Sequence, residues 1–391
     1  MMRTVGKVLA AAIVVAVTLP YAAAPLYDIA PPRPFRNALA TDQAQIAQGR
    51  SEDSTAWYNP YATAEGRWGK VNLHLHSRAW SGATDGRKNS LNAIDSVYRQ
   101  LGYEALALSN YQRIDSLSNG WKHLPCYEHG YNIQKTHQLA LGARSVVWLD
   151  CILPQTVFVK QWILDVLRPT AEVLIAAHPA FGRPSYSEHD MTLLSGYDCI
   201  EVFNHYRTSL AHWDSALSNG ILVWGVGNDD CHDVSSDGET GVCLTLVALP
   251  PHWTPADLYR AYRNGHTIAV RTQHAELPIG VPQQFIIVDS LVVHLAAPAD
   301  SIRFISDGSV IARFGRSARA ALQLPRNADY VRAEVYAANA TYALNPAVQR
   351  ASSNHHQQPR LQENLILTVI FRTIWILLYA HLLLYLRRNR S

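Results

Sequence analysis

The two ends of the chain limit its arrangement more than any other feature. Residues 8 to 26 read "VLAAAIVVAVTLPYAAAPL" after Arg3 and Lys7, and residues 365 to 386 read "LILTVIFRTIWILLYAHLLLYL" before Arg387, Arg388 and Arg390. Predominantly apolar runs of this length are long enough to cross a bilayer. The first, over residues 1–27, reads as a secretory signal peptide or an N-terminal membrane anchor. "AAA" before Pro25 offers a small-residue cleavage site, while continuation of the run to Tyr27 favours the anchor. The second, over 365–387, reads as a transmembrane helix, with a buried or interfacial helix as the alternative. Its polar members are Arg372, which can snorkel towards an interface, and His381. Basic flanks remain cytoplasmic. The expectation is therefore a protein of the cytoplasmic membrane whose main domain is extracytoplasmic, periplasmic or extracellular.

What lies between must fold as a globular body. Residues 28–69, with "APPRPF", read as a linker. Over 70–272 short apolar runs recur: "KVNLHLH", "YEALALS", "SVVWLDCIL", "EVLIAAH", "DCIEVFN", "ILVWGVG" and "GVCLTLVAL". Amphipathic stretches such as "SLNAIDSVYRQLG" and "TVFVKQWILDVLR" separate several of them. Strands alternating with helices imply parallel pairing through crossovers, an α/β arrangement, and about seven such strands suggest a closed barrel more than an open sheet. From 273 to 350 the runs look antiparallel, with a turn at Asp307-Gly308, and predict a small β-sandwich-like domain. Residues 351–364 read as a polar tether. A net charge of +3 without a lysine-rich tract gives no reason to expect a nucleic-acid partner. The five cysteines form no CxxC pair, and three sit in strand-like runs where a thiol behaves as a small hydrophobe.

In α/β folds, chemistry collects at the carboxyl ends of strands. The first run here ends in His74 and His76, which alternate onto one face of a strand, and Asp85 follows in a loop. Others end in "LSNY" at Tyr111, "VVWLD" at Asp150, "AAHP" at His178, "IEVFN" with Glu201 and Asn204, and "GVGNDDCH" with Asp230 and His232. Imidazoles and carboxylates converging from separate strand ends suit first-row divalent metals. Asp229 should point away from Asp230 and has no metal role in this reading.

"NLHLHS…TDG", "AAHP", "YDCIEVFN" and "GVGNDDCH" together resemble the polymerase and histidinol phosphatase (PHP) family of metal-dependent phosphoesterases, over roughly residues 70 to 272. The resemblance implies a distorted (β/α)7 TIM-like barrel with divalent transition metals, two of Zn, Mn or Fe, at its strand ends. By motif, the ligands would be His74, His76, Asp85, His178, Asp230 and His232. Asp150 would replace a family glutamate that bridges two metals. The family's threonine-aspartate-histidine after the second strand is here Ser109, Asn110 and Tyr111, so a histidine ligand is lost and Tyr111 stands in its place as a candidate ligand. The segment "CYEHGYNIQKTHQLALGA" offers Glu128, His129, Lys135 and His137. Of these, His129 is a candidate substitute ligand and Lys135 a candidate phosphate contact, with an ordinary solvated loop as the alternative for each; Arg183 is a second candidate phosphate contact, with a surface arginine as its alternative. The implied activity is a membrane-tethered hydrolase using metal-activated water on a phosphorylated small molecule or a phosphodiester. Two alternatives stand beside it: a binding or scaffolding protein with a degenerate metal site, and amidohydrolase-like hydrolysis of a non-phosphate bond.

Overall fold

The computed structural model describes residues 2–32, 57–84, 86, 88–117, 120–182, 185–349 and 359–388. Strands β1 (Tyr27–Ile29) and β2 (Trp57–Tyr58) lead into β3 (Arg67–Asn72) and β4 (Tyr103–Leu106), a parallel pair. A five-stranded sheet follows, in the order β5 (Cys126–His129), β6 (Gln138–Leu141), β7 (Val173–Ala176), β8 (Cys199–Asn204) and β9 (Trp224–Asn228). β10 (Cys243–Leu249) then returns beside β3, and β11 (Thr267–Arg271) pairs with β10. β12 (Gln283–Ile287), β13 (Ser290–Ser306), β14 (Ser309–Gln323), β15 (Tyr330–Ala337) and β16 (Ala340–Gln349) continue that sheet through the β11–β16 ladder. It has ten strands, ordered β12-β13-β15-β16-β11-β10-β3-β4, with β14 on β13 and β2 on β16. β17 (Leu361–Glu363) pairs with β1 apart from both sheets.

The fold is mixed α/β and dominated by sheet, and it is not the expected (β/α)7 barrel. The ladders fall into two sheets that do not close, because the chain abandons helical crossovers in two places. β5, β6 and β7 are joined antiparallel, as are β3, β10 and β11. Residues 145–153, "SVVWLDCIL", form no strand, whereas the expected reading missed β5 and β6. The separate β-sandwich is also corrected, since its antiparallel strands extend the ten-stranded sheet. Their turn is as expected: Asp307 and Gly308 both have positive φ, 48° and 68°, the twist a two-residue hairpin needs.

Beyond the ladders, two isolated parallel bridges connect the sheets, Leu75 to Cys231 and Tyr111 to Glu128. Elsewhere the seam is made by side chains: Thr245 Oγ1 accepts from the Gly227 amide (3.1 Å) and donates to its carbonyl (2.7 Å). A Cβ at Gly227 would lie 2.7 Å from the Leu244 carbonyl oxygen, so only glycine allows this approach.

Apolar side chains from both sheets fill the space between them, including Val71, Leu73, Ala105, Leu139, Ile175, Val226 and Val247. Helix Pro255–Asn264 inserts Leu258, Tyr259 and Tyr262 into the same core, beside Cys199 and Trp224 at the amino ends of β8 and β9. Its ends are well specified: Thr254 and Asp257 form a capping box, Pro255 opens the first turn, and Gly265 closes it at φ 74°. Helices Val157–Leu167 and Leu210–Leu217 cover the outer face of the five-stranded sheet.

The terminal helices, Met2–Ala23 and Leu365–Arg388, are long and apolar enough to span a membrane. They lie against each other. Thr18 Oγ1 is 2.9 Å from the Tyr379 hydroxyl, and the Arg372 guanidinium donates twice to the Ala23 carbonyl (2.7 and 3.1 Å). A backbone carbonyl that the helix end leaves unpaired is thus answered by the Arg372 cation. Tyr27 donates to Asp165 (2.8 Å), and Arg360 donates to the Thr192 carbonyl (2.7 Å) and Asn219 (3.1 Å), so the pair is anchored to the folded body.

A buried ion cluster ties the later strands to the five-stranded sheet. Arg332 of β15 bonds both oxygens of Asp214 on helix Leu210–Leu217 (2.7 and 2.5 Å) and Glu334 (2.6 Å), and lies 5.1 Å from the Trp213 ring centroid. Removing the cation would leave two buried carboxylates with only the Tyr330 and Tyr336 hydroxyls to answer them. Arg332→Leu should therefore destabilise the protein by about 3–5 kcal/mol in chemical denaturation of detergent-solubilised protein. A loss below about 1 kcal/mol, the range of exposed pairs, would contradict the packing described.

Candidate metal centre

The centre forms where the carboxyl ends of β3, β7 and β9 meet the hairpin β5–β6. Past β3 the chain remains extended, with Leu73 and Leu75 in the core and His74 and His76 on the opposite side, all buried. Backbone bonds His76 N to Cys231 O (3.0 Å) and Asp230 N to His74 O (2.8 Å) fix this segment against the end of β9. Glu128 points in from β5, and His137 immediately precedes β6. A Cβ at Gly130 would fall 2.5 Å from His137 Cδ2, so this glycine makes room for the imidazole. His178 and Asp230 each lie two residues beyond a strand and carry positive φ, 29° and 53°. Such backbone is strained for residues with side chains and concentrates at functional positions.

Two ligand groups share one carboxylate. Ligand atoms of His74, His76, Glu128 and Asp230 all lie within 4.8 Å of one another, and so do those of Glu128, His137 and His178. In the first group His74 Nε2 is 3.1 Å from Asp230 Oδ1 and 3.3 Å from Glu128 Oε2, and His76 Nε2 is 3.3 and 3.1 Å from the same oxygens. Ligands about 2.0–2.1 Å from a tetrahedral first-row ion stand roughly 3.3 Å apart. These four atoms are buried and have no hydrogen-bond partner among the described residues. Unanswered buried polar atoms are costly, and four aimed at one point fit a cation. In the second group Glu128 Oε1 is 2.5 Å from His137 Nδ1 and 3.2 Å from His178 Nε2.

An outer layer orients these groups. Glu201 Oε1 meets His74 Nδ1 (3.1 Å), which leaves Nε2 to the ion, and it also accepts from Asn228 (3.0 Å). Glu201 Oε2 accepts from the His178 amide and from Asn204 (both 2.9 Å), and Asn204 also donates to Asp230 Oδ2 (3.2 Å). Carboxylate-to-imidazole support of this kind fixes the tautomer and the ring angle of a metal-binding histidine. Asp229 points away, as the alternation predicts. It accepts from Asn72, Tyr98 and the amides of Gly241, Val242 and Cys243, and burial still pushes its carboxyl up to about 6.

Electrostatics favour positive charge in the centre. Burial acts to lower the pKa of His74, but Asp230, Glu201 and Glu128 outweigh it and hold it well above the ordinary value. His76 and His178 are raised in the same way, against burial, by Glu128 and Asp230. Burial would raise Glu128, yet His137 and His74 hold it well below the usual carboxylate range. Asp230 is likewise depressed, with His74 and His76 overcoming burial. For His137 and His232 burial prevails and the pKa is lowered.

Of the expected ligands, His74, His76, His178 and Asp230 come together. His232 stacks on His76 with ring centroids 4.3 Å apart and its Nδ1 2.8 Å from the Asp230 carbonyl oxygen, beside the two groups rather than within them. Tyr111 lies against the centre, its ring centroid 4.7 Å from that of His76 and 5.5 Å from that of His137. Lys135 is exposed at the same edge, its Nζ 6.0 Å from the Tyr111 ring. Asp85 and Arg183 lie outside the described residues.

Two expectations are corrected. Asp150 is no bridge: it accepts from the amides of Tyr131 and Cys151 and from Gln155 (each 2.7 Å), and so holds a loop together. His129 is not a substitute ligand, because Gln138 Oε1 (2.7 Å) and the Leu149 carbonyl (2.8 Å) occupy both ring nitrogens. The shared carboxylate is Glu128, and His137 joins it. Sequence reasoning missed both as ligands because their strands are four residues long. Glycines close behind both, Gly130 and Gly142, were the available signal. Comparison of the chain with protein-family models, with curated proteins and with solved structures returns no match.

Glu128→Gln should abolish stoichiometric metal binding measured by elemental analysis, whereas Asp150→Asn should retain the metal and lower thermal stability. The reverse pattern would restore Asp150 to the centre. Because His74, His76 and His178 hold protons above their usual pKa, a divalent ion must displace them. Titration calorimetry near neutral pH, in buffers of different ionisation enthalpy, should show proton release on metal uptake, and affinity should fall as pH is lowered. Uptake without proton release would refute this electrostatic account.

Proposed function

We propose that this chain is a membrane-tethered, metal-dependent hydrolase of phosphate esters. The observation that carries the reading is the shared Glu128, with ligand groups on either side that contain four histidines and Asp230. Imidazole and carboxylate together suit zinc, manganese or iron. The resemblance to PHP phosphoesterases supports the same chemistry, with Glu128 in the bridging role that the motif resemblance gave to Asp150. The terminal helix pair tethers the body, and the basic flanks put that body outside the cytoplasm, on the cytoplasmic membrane.

Ions held there would supply Lewis acidity, making water nucleophilic near neutral pH and taking up charge on phosphate oxygens. The chain's own residues prepare the site for this. Glu201 fixes the ring of His74, and Asn204 engages Asp230 Oδ2 so that Oδ1 faces inward. Burial of the ligands excludes bulk water, which strengthens each charge interaction. At the edge, Lys135 offers a cation to the phosphate, beside Tyr111, whose ring lies against that of His76.

Detergent-solubilised full-length protein, reconstituted with zinc, manganese or iron, should hydrolyse members of a broad phosphate-ester panel. His76→Ala should abolish turnover. Glu201→Gln should weaken metal affinity about 10- to 100-fold, with turnover recovered at high metal concentration. Fully metal-loaded protein that cleaves no phosphate ester would refute the proposal. Tyr111→His, which adds an imidazole beside His76 and His137, should increase metal stoichiometry or affinity, and unchanged binding would place residue 111 out of ligand reach.

A further inference from the structure

We infer that the metal centre opens at the level of the lipid headgroups and that its substrate is a phosphate ester carried by a membrane lipid. The inference rests on the tethered phosphoesterase reading and deepens it.

Depth is set by the terminal helices. Leu365, Ile366 and Val369, at the start of the C-terminal helix, are 68, 75 and 62% exposed. Arg372, which reaches the Ala23 carbonyl, follows Leu365 by seven residues, or about 10 Å of helix. The apolar collar above Arg372 requires lipid around it, so the hydrocarbon surface lies nearer Leu365 than Arg372. Tyr21 lies two residues before Ala23, at or below the level of Arg372, and its hydroxyl donates to the Leu153 carbonyl (2.6 Å). The folded body therefore touches the helix pair within the depth of the collar.

The surface at that contact is apolar. Leu153, Ile152 and Trp148 are 44, 44 and 58% exposed, and Ile133 and Tyr131 are 63 and 46% exposed. Hydrogen bonds join the two segments, Ile133 N to Ile152 O and Tyr131 hydroxyl to Trp148 O (both 2.9 Å). A contiguous exposed apolar surface marks an interaction site, and tryptophan and tyrosine favour the boundary between lipid and water. Its continuity with the lipid-facing helix surface selects a bilayer over a soluble protein as its occupant.

That surface leads to the candidate ligand groups. The Trp148 and Trp80 rings are 6.2 Å apart, Trp80 Nε1 donates to the Tyr111 carbonyl (2.9 Å), and Tyr111 lies on His76. Lys135 beside Tyr111 brings a cation to the same edge, where anionic headgroups would stand.

The test uses full-length protein in phosphatidylcholine vesicles containing phosphatidic acid. All five native cysteines are buried, so a cysteine introduced at Ile133, Ile152, Leu377 or Val288 can be spin-labelled selectively. Val288 is 95% exposed and serves as the aqueous reference. Labels at 133, 152 and 377 should be relaxed by oxygen more than by a nickel chelate, and the label at 288 the reverse. If 377 is lipid-exposed while 133 and 152 behave like 288, the inference fails and the tether stands. If 377 also behaves like 288, the tether reading fails and the inference falls with it. Exclusion of both relaxants at 133 and 152 would mean a protein covers the surface, and would overturn the proposal. Phosphate release from phosphatidic acid in the vesicles should exceed that from soluble glycerol phosphate by about tenfold at equal total concentration. Ile133→Glu with Ile152→Glu should lower that ratio by a similar factor. Equal rates on the two esters, or a ratio unmoved by the charges, would overturn the lipid substrate. Hydrolysis of neither ester by metal-loaded protein would overturn it too.

Discussion

Glu128 is the point on which the rest of the structure turns. It belongs to the five-stranded sheet, yet its two oxygens face histidines from both sheets, His74 and His76 on one side and His137 and His178 on the other. Its backbone also forms one of the isolated bridges across the seam, to Tyr111. A buried anion in that place is tolerable only with positive charge around it. The raised imidazoles provide some of that charge as protons, and a divalent ion would provide it as metal. Fold and centre are therefore coupled: the charge that neutralises Glu128 also holds the two sheets together at their open end.

The opposite end of the seam is held differently. There the helix Pro255–Asn264 and its tyrosines fill the gap between the sheets, with Gly265 allowing backbone and the Trp224 ring to come close. The molecule has an apolar plug at one end and a polar cluster at the other. Strain gathers at the polar end, in the positive φ of His178 and Asp230, where packing of Phe181 on His178 and the hydrogen bonds of Asn204 hold residues that an unconstrained chain would relax.

Much of this could be read from the sequence where the local signal and the tertiary role agree. "NLHLH", "AAH" and "NDD" bring His74, His76, His178 and Asp230 to strand ends because alternation and chain direction alone set those positions. The architecture was less legible. Strand direction depends on which neighbour a strand finds, and neither "QLALG" nor "CLTLVAL" declares that it runs antiparallel to its partner. "SVVWLDCIL" misled for a physical reason: its largest apolar residues are not inside, although Cys151 is buried and Val146 and Val147 pack against the core. Trp148, Ile152 and Leu153 face outward, so the hydrophobicity that reads as a buried strand belongs to a surface, and Asp150 was placed at a strand end that does not exist.

The mounting of the body on its helices has a kinetic consequence. β1 and β17 pair directly above the helix ends, Tyr27 and Arg360 bind them to the body, and Arg372 locks one helix to the other. On the proposed reading, a catalyst held this way would have no free tumbling relative to its support and would meet whatever shares that plane by lateral diffusion. Its encounter rate would then follow the mole fraction of substrate in the bilayer rather than the bulk concentration, and diluting the suspension would leave turnover per molecule unchanged.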